Sequence, residues 1–292
     1  MPKDTDLGKT FVNGLLKWNK NENTREMPWK NEKDPYKIWL SEIILQQTRV
    51  EQGLSYYKNF TLTFPDISSL AKAPEEIVFK LWEGLGYYSR CKNLITTARF
   101  INKELNGIFP KDYSSIIELK GVGPYTAAAI SSFAYNLPYA VLDGNVFRVI
   151  SRIFNLEFPI DTTSGKTKFS EIAQNLLPHD KAAVYNQAIM DFGAIICKPA
   201  PLCSECFFNN NCLAFLNNNQ DQLPVKEKKL KIKERWLNYF VFIYNDEILI
   251  RQRITKDIWQ HLYEFFPVET SKKSSIKKLK QQIKADYNLN DY

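Results

Sequence analysis

From residue 8 to about residue 216 apolar residues recur three and four apart, as in Phe11, Leu15 and Trp18 and again in Tyr36, Trp39, Leu40, Ile43 and Ile44. That period stacks them on one face of a helix and predicts a long succession of helices. Gly and Pro interrupt it at Phe64-Pro65, Ala73-Pro74, Gly84 to Gly86, Phe109-Pro110 and Gly121 to Pro124, which predicts short connections. The pattern changes at residues 217–234, NNNQDQLPVKEKKLKIKE, a polar and charged stretch that reads as a linker. Beyond it, WLNYFVFIYNDEILIRQR is β-branched and aromatic, with Asn245-Asp246 predicted as a turn between two strands. The stretch SSIKKLKQQIKADYNL reads as an amphipathic basic helix whose lysines form a solvated face. The expectation is a helical domain over 1–216, a linker over 217–234 and a smaller sheet-containing domain over 235–292.

A chain of 292 residues, 44% of them hydrophobic, can bury one large core or two smaller ones, so it is globular rather than disordered. The net charge of +7 favours an anionic partner, nucleic acid first. No apolar run approaches the roughly 20 residues that span a bilayer. The opening MPKDTDLGKTF has no apolar signal core, and the expected compartment is a reducing cytoplasm.

Cysteine usage sharpens this picture. Cys197, Cys203, Cys206 and Cys212 cluster in CKPAPLCSECFFNNNC, within a chain otherwise poor in cysteine. The cluster suggests one metal centre with four thiolate ligands, zinc or iron–sulfur. Structural zinc tends to use two Cys-x2-Cys knuckles, and only Cys203 and Cys206 form one, so the spacing favours a [4Fe–4S] cube. A disulfide framework does not suit a long, cysteine-poor chain. Cys91 is left over and is expected to pack as a small apolar residue.

LKGVGPYTAAAI is the second specific feature. A helix ending near Leu119 meets Gly121-Val122-Gly123, and Pro124 opens the next helix, where a missing amide costs nothing. The two glycines are expected to take positive φ and let the backbone approach a ligand. The exposed amides of the new helix can then hold a phosphate, a grip that ignores base sequence. An ordinary helix–turn–helix corner is the plainer alternative.

The hairpin, the aspartate in VLDGNVFRV about twenty residues later and the cysteine loop together resemble the helix-hairpin-helix DNA glycosylases that carry an iron–sulfur cluster. Within them the chain is similar to the MutY-type adenine DNA glycosylases, through MPWKNEKDPYKIWLSEIILQQTRV, LWEGLGYYSR, GVGPYTAAAI, LDGNVFRV and YNQAIMDFGAIIC. The resemblance covers residues 8–216 strongly and 235–270 more weakly. It implies a mainly α helix-hairpin-helix glycosylase domain with a [4Fe–4S] loop held by the four cysteines, followed by a small, incomplete α+β MutT-like domain. The implied activity is removal of adenine from double-stranded DNA where it is mispaired with 8-oxoguanine or guanine, by a monomer on the nucleoid.

The residues can be read for chemistry beside that resemblance. Placed on a helix, Glu42 has Ile38, Trp39, Leu45 and Gln46 around it, three of them apolar. Such surroundings disfavour the charged carboxylate and raise its pKa toward neutrality, as a general acid requires. A surface glutamate is the bland alternative. The resemblance implies that Glu42 protonates adenine at N7 and that Asp143 stabilises the cationic sugar, with Tyr125 and Asn145 in support. Asp143 also reads as a helix N-cap, alone or alongside that role. Arg25, Trp29, Leu45 and Gln187 match positions lining the adenine pocket. Gln47, Thr48 and Arg49 match the segment that enters the duplex, with Gln47 as the wedge and Tyr87 as the intercalating aromatic, while Gly121, Val122 and Gly123 form the hairpin grip. For Trp29 and Tyr87, simple core packing remains open. In the endonuclease III branch the Tyr125 position holds a lysine that attacks the sugar. A tyrosine cannot form a Schiff base, which implies a monofunctional enzyme with water as final nucleophile.

The chain departs from the family in two places. The Cys197–Cys203 gap is one residue shorter than the family spacing, which puts the geometry of that loop in question. The second domain's Phe-Ser-His recognition loop would lie past Tyr292, and the clustered glutamates of a nucleotide pyrophosphohydrolase are absent. The expectation is a fragment or a chain with reduced 8-oxoguanine recognition, and no nucleotide hydrolysis. The rival readings are an endonuclease III-like glycosylase with lyase activity and a non-catalytic DNA-binding module held by zinc.

Overall fold

The computed structural model describes residues 6–227, 234–255, 257, 259–260 and 262–287. Residues 228–233 of the predicted linker, His261 in the segment read as MutT-like and the last five positions lie outside the described residues. The helices run in the order α1 (Asp6–Asn21), α2 (Pro35–Leu45), α3 (Val50–Thr63), α4 (Ile67–Lys72), α5 (Glu75–Trp82), α6 (Tyr88–Glu104), α7 (Tyr113–Ile117), α8 (Pro124–Tyr135), α9 (Gly144–Ile153), α10 (Thr163–Leu176), α11 (Ala182–Ile195) and α12 (Leu213–Leu216). None of the described helices is long and apolar enough to cross a membrane. The chain divides into two compact units, Met1–Leu85 with Arg90–Lys228 and Gly86–Ser89 with Lys229–Tyr292.

In the first unit, sequence punctuation sets the helix ends. Asp34 caps α2, accepting from the Tyr36 amide at 2.9 Å, and Pro35 opens the helix. Pro124 likewise opens α8, which ends at Asn136 in the left-handed conformation. The predicted periodic residues face inward: Phe11, Leu15 and Trp18 of α1 are buried, with Trp18 edge-on to Phe192 of α11 at 5.3 Å. α2 is apolar all round and packs between α3 and α8, so its residues from Ile38 to Ile44 are buried on every side, Glu42 included. Cys91 is fully buried, as expected, and burial pushes its thiol up to about 12.

The polar stretch from Asn217 does not leave this unit at once. Leu223 is buried in the core, Arg152 of α9 donates to the Gln220 and Leu223 carbonyls, and the Ile160 amide donates to the Val225 carbonyl at 3.0 Å. Composition reads this stretch as linker because its side chains are polar, but its backbone carbonyls and one leucine are what dock it.

From residue 234 on, the described residues of the second unit form antiparallel strand pairs and a helix. β1 (Trp236–Phe240) pairs with β6 (Phe266–Thr270), β2 (Phe242–Tyr244) with β3 (Glu247–Leu249), and β4 (Arg251–Gln252) with β5 (Tyr263–Glu264). The predicted turn joins β2 and β3, with Asn245 and Asp246 both at positive φ, as a two-residue hairpin demands. α13 (Ile276–Asp286) lays Leu279 and Ile283 against Val268 of β6 and leaves its lysines in solvent, as the pattern predicted.

Candidate active site

The 25–33 segment, the C-terminal half of α2 with the turn after it, the N-terminal ends of α8 and α9, and α11 line a cleft of about 470 Å³ in the first unit. α2 brings Glu42 to it from a fully packed position, and the side chain keeps only 8% of its exposure. Burial pushes the carboxyl up to about 7; a hydrogen bond from the Tyr125 hydroxyl pulls the other way, and the nearby Asp143 charge adds to the rise. The surface-glutamate alternative is thereby excluded. Tyr125 sits in the first turn of α8, its hydroxyl 3.6 Å from the Met190 Sδ. Burial, then Glu42 and Asp143, push its ionisation well above the ordinary range, so it stays a neutral phenol.

Asp143 caps α9, its Oδ1 accepting from the Val146 amide at 2.8 Å. Its Oδ2 accepts from Asn145 Nδ2 at 2.8 Å, so both oxygens are held and the carboxylate is fixed in direction. Asn145 Oδ1 accepts in turn from Arg148 at 2.8 Å, and Arg148 Nε donates to the Cys197 carbonyl at 2.8 Å. Gly193 lets α11 come this close to α9, since a Cβ there would stand 2.7 Å from the Asn145 Cβ.

Arg25, Trp29, Leu45, Gln47, Thr48, Asn145 and Gln187 also line the cleft. Trp29 lines it half-buried, edge-on to Tyr57 at 5.3 Å, and so both packs and faces the cavity. Arg49, Tyr87, Gly121, Val122 and Gly123 are not among its lining residues. Tyr87 is 45% exposed, which removes the core-packing alternative for it. Gln47 (φ 55°) and Tyr87 (φ 46°) both hold left-handed backbone, a strained state for side chains of that size. In the hairpin only Gly121 takes positive φ, at 83°. The expectation that Gly123 does so too is corrected: its φ is −102°, because it serves as the extended cap of α8. The Val122 side chain is buried, which leaves the hairpin's backbone as its outward surface.

Sequence reasoning missed the polar centre behind the cleft. Asp191 of α11 is fully buried, yet it accepts from Arg25 Nη1 (2.9 Å), Asn23 Nδ2 (2.9 Å) and Gln187 Nε2 (3.0 Å), with Lys30 Nζ at 3.3 Å. It orients two of the predicted pocket residues at once. The available signal was a lone acid in the apolar stretch YNQAIMDFGAII, four residues after Gln187.

The four cysteines line a second, smaller pocket. Among the described residues no three His, Cys, Asp or Glu side chains converge on a point that would hold a single ion. Arg152 Nη1 lies 3.6 Å from Cys197 Sγ, and the Phe208 amide donates to Cys206 Sγ at 3.4 Å.

Residues 40–179 match the family model described as HhH-GPD superfamily base excision DNA repair protein. An adenine DNA glycosylase of Buchnera aphidicola subsp. Baizongia pistaciae is 35% identical over 97% of this chain and 81% of its own. Another, from Buchnera aphidicola subsp. Acyrthosiphon pisum, is 34% identical over 93% of this chain and 78% of its own. The solved structure of a thermostable thymine-DNA glycosylase superposes with a TM-score of 0.67 at 30% identity, covering 72% of this chain and 97% of that one.

Proposed function

Starting from the fact that the chain belongs to the adenine DNA glycosylases of the HhH-GPD superfamily of base excision repair proteins, we propose that it is a monofunctional enzyme that releases adenine mispaired with 8-oxoguanine or guanine. The observation that carries the proposal is the buried Glu42, its carboxyl pushed up to about 7, facing the cleft together with a fixed, hydrogen-bonded Asp143. In this reading the target nucleotide turns out of the stack into the cleft. Glu42 delivers its proton to adenine N7. The C1′–N9 bond then breaks with its electron pair leaving on the base, and the Asp143 carboxylate stabilises the cationic sugar beside it. Water adds to C1′ and gives its proton to the Glu42 carboxylate, which restores the acid. Tyr125 and Asn145 hold the two carboxyls in place. Arg25, Trp29, Leu45 and Gln187 bound the base. Gln47 with Thr48 and Arg49 fills the gap it leaves, aided by Tyr87, and the backbone of Gly121, Val122 and Gly123 grips a phosphate.

The cysteine pocket fits the [4Fe–4S] cluster that the family resemblance implies. The donors are all cysteine sulfur, an arginine and an amide point at two of the sulfurs, and a cube takes one thiolate per iron, a wider spread than one zinc ion accepts. Cys197, Cys203, Cys206 and Cys212 would hold it, and when bound it supplies a brace between the end of α11 and the loop that follows. We further read residues 1–216, with the stretch to Val225 that docks on them, as the glycosylase domain and 235–292 as a MutT-like domain. The reading is of a cytoplasmic monomer, since one chain supplies every residue invoked.

The test is single-turnover incubation with duplexes holding 8-oxoguanine:adenine, guanine:adenine and guanine:thymine, then hot alkali. Strand breaks only after alkali, on the two adenine duplexes, are expected. Breaks without alkali, or on guanine:thymine alone, would overturn the proposal.

A further inference from the structure

Arg90, in the first turn of α6, is a cation with only 7% of its surface exposed. Burying such a charge is costly unless its donors are satisfied. Its two Nη1 hydrogens are shared among the carbonyls of Ile43 (3.0 Å), Ile44 (2.9 Å) and Gln46 (2.5 Å). Its Nη2 reaches Thr48 Oγ1 and the Leu85 carbonyl, both at 3.3 Å, and the guanidinium lies 5.2 Å from the Trp82 ring. The first acceptors are the last carbonyls of α2, the helix that carries Glu42, where a helix has unpaired acceptors and partial negative charge. The next are the two sides of the turn that holds Gln47 in left-handed backbone.

The same face of α6 continues to the hairpin. Asn93 and Thr97 lie three and seven residues beyond Arg90, one above the other on the helix. Thr97 Oγ1 donates to the Lys120 carbonyl at 2.9 Å. The Asn93 side chain occupies the space a Cβ on Gly121 would need, 2.9 Å from it. Gln46 closes the triangle, its Nε2 3.5 Å from both the Gly121 carbonyl and Thr126 Oγ1. One helix face thus touches the end of α2, the Gln46–Thr48 turn and the 120–121 hairpin.

We infer that Arg90 is a positioning residue that couples the hairpin's grip on the DNA backbone to insertion of the Gln47 turn, with α6 as the rigid strut between them. The inference rests on the roles given above to Gln47 and the hairpin. A hairpin seated on a phosphate fixes the register of α6, and the five-way clamp of Arg90 passes that register to the turn and to the helix bearing the acid. Lysine cannot replace it, because one ammonium cannot span acceptors spread over two chain segments.

The experiment places 2-aminopurine opposite guanine in a duplex and follows its fluorescence rise by stopped flow, as the base leaves the stack. Arg90→Lys is expected to slow that rise about tenfold or more. Its Kd for a duplex already carrying a tetrahydrofuran abasic analogue opposite guanine should change by less than about threefold, at one salt concentration. Equal losses on both duplexes would mean a general structural defect, and no loss on either would mean no coupling; both overturn the inference. If Arg90→Lys does not melt cooperatively, Thr97→Val carries the test from the far end of the strut, since it keeps shape and removes one hydroxyl. Slowed extrusion by Thr97→Val supports the coupling, and a wild-type rate overturns it. Adenine release by the wild type from 8-oxoguanine:adenine, measured on the same preparation, keeps the two readings apart: its absence sinks the functional proposal, its presence with unaltered extrusion in the variants sinks only the strut.

Discussion

Burial pushes the Glu42 carboxyl up to about 7, so stability and, in the proposed mechanism, reaction rate should respond to pH through one proton. In the proposed general-acid role it must be protonated, so the single-turnover rate should fall about tenfold per pH unit above 7. The same shift sets a cost for the fold. The unfolded chain releases this proton at the ordinary 4.5 and the folded chain holds it to about 7, so stability falls with rising pH between those values and stays lower above them. Glu42→Gln should therefore abolish base release yet raise stability by up to about 3 kcal/mol at pH 8, with no gain at pH 4. Urea melts at the two pH values check this, and a variant that keeps more than about a hundredth of the wild-type rate would remove Glu42 from the acid role. At Asp143 two functions separate by substitution. Asparagine caps a helix about as well as aspartate, so Asp143→Asn should fold normally and lose base release, whereas Asp143→Ala should lose release and about 1 kcal/mol of stability as well. A near-normal rate for Asp143→Asn would leave only the capping role. The apolar neighbours that raise Glu42 were legible by helical spacing alone. Asp191 was not, because Arg25 and Asn23 reach it across more than 160 residues.

At the scale of elements, the hairpin offers two glycines with opposite expectations. Gly121 needs its positive φ and its missing Cβ, because Asn93 stands where the Cβ would go. Gly121→Ala should cost about 1–3 kcal/mol and weaken duplex binding with it. Gly123 has ordinary extended backbone, and nothing lies within 4 Å of where a methyl on it would stand. Gly123→Ala should cost no more than about 0.5 kcal/mol, since alanine is the poorer cap but also restricts the unfolded chain, while still weakening binding, because the methyl intrudes on the outward surface. Fluorescence anisotropy on an undamaged duplex at fixed salt, set beside thermal melts, separates the two. Sequence located this hairpin because Gly and Pro have few conformational excuses, but it could not assign which glycine was strained. That depends on Asn93, contributed by a helix the local pattern does not see.

At the scale of the whole chain, the two units differ in how much they bury. The first has an extended core from Phe11 to Leu223, whereas the described part of the second buries Val268, Leu279 and Ile283 and leaves Ile243, Tyr244, Ile248, Leu249 and Ile254 exposed. Amides of β2 to β5 should exchange with solvent orders of magnitude faster than those of α2, α8 and α11, by the local-opening logic that ties protection to buried contacts. Mass-resolved hydrogen exchange reads this directly, and equal protection in both units would contradict it. The composition change near residue 217 announced a second unit, but it could not reveal that the first holds its chain to Val225 through carbonyls, which carry no sequence signature. The left-handed backbone at Gln47 and Tyr87 bears on the chain as a heritable object. Glycine at either position would relax the backbone, and asparagine would nearly do so, so a library ranked by heat resistance should drift toward those residues. The same library ranked by how well its carriers suppress new mutations should retain Gln and Tyr. Lineages under the two pressures would part at these two codons first, and a population enriched for the sturdier protein would inherit the less faithful genome.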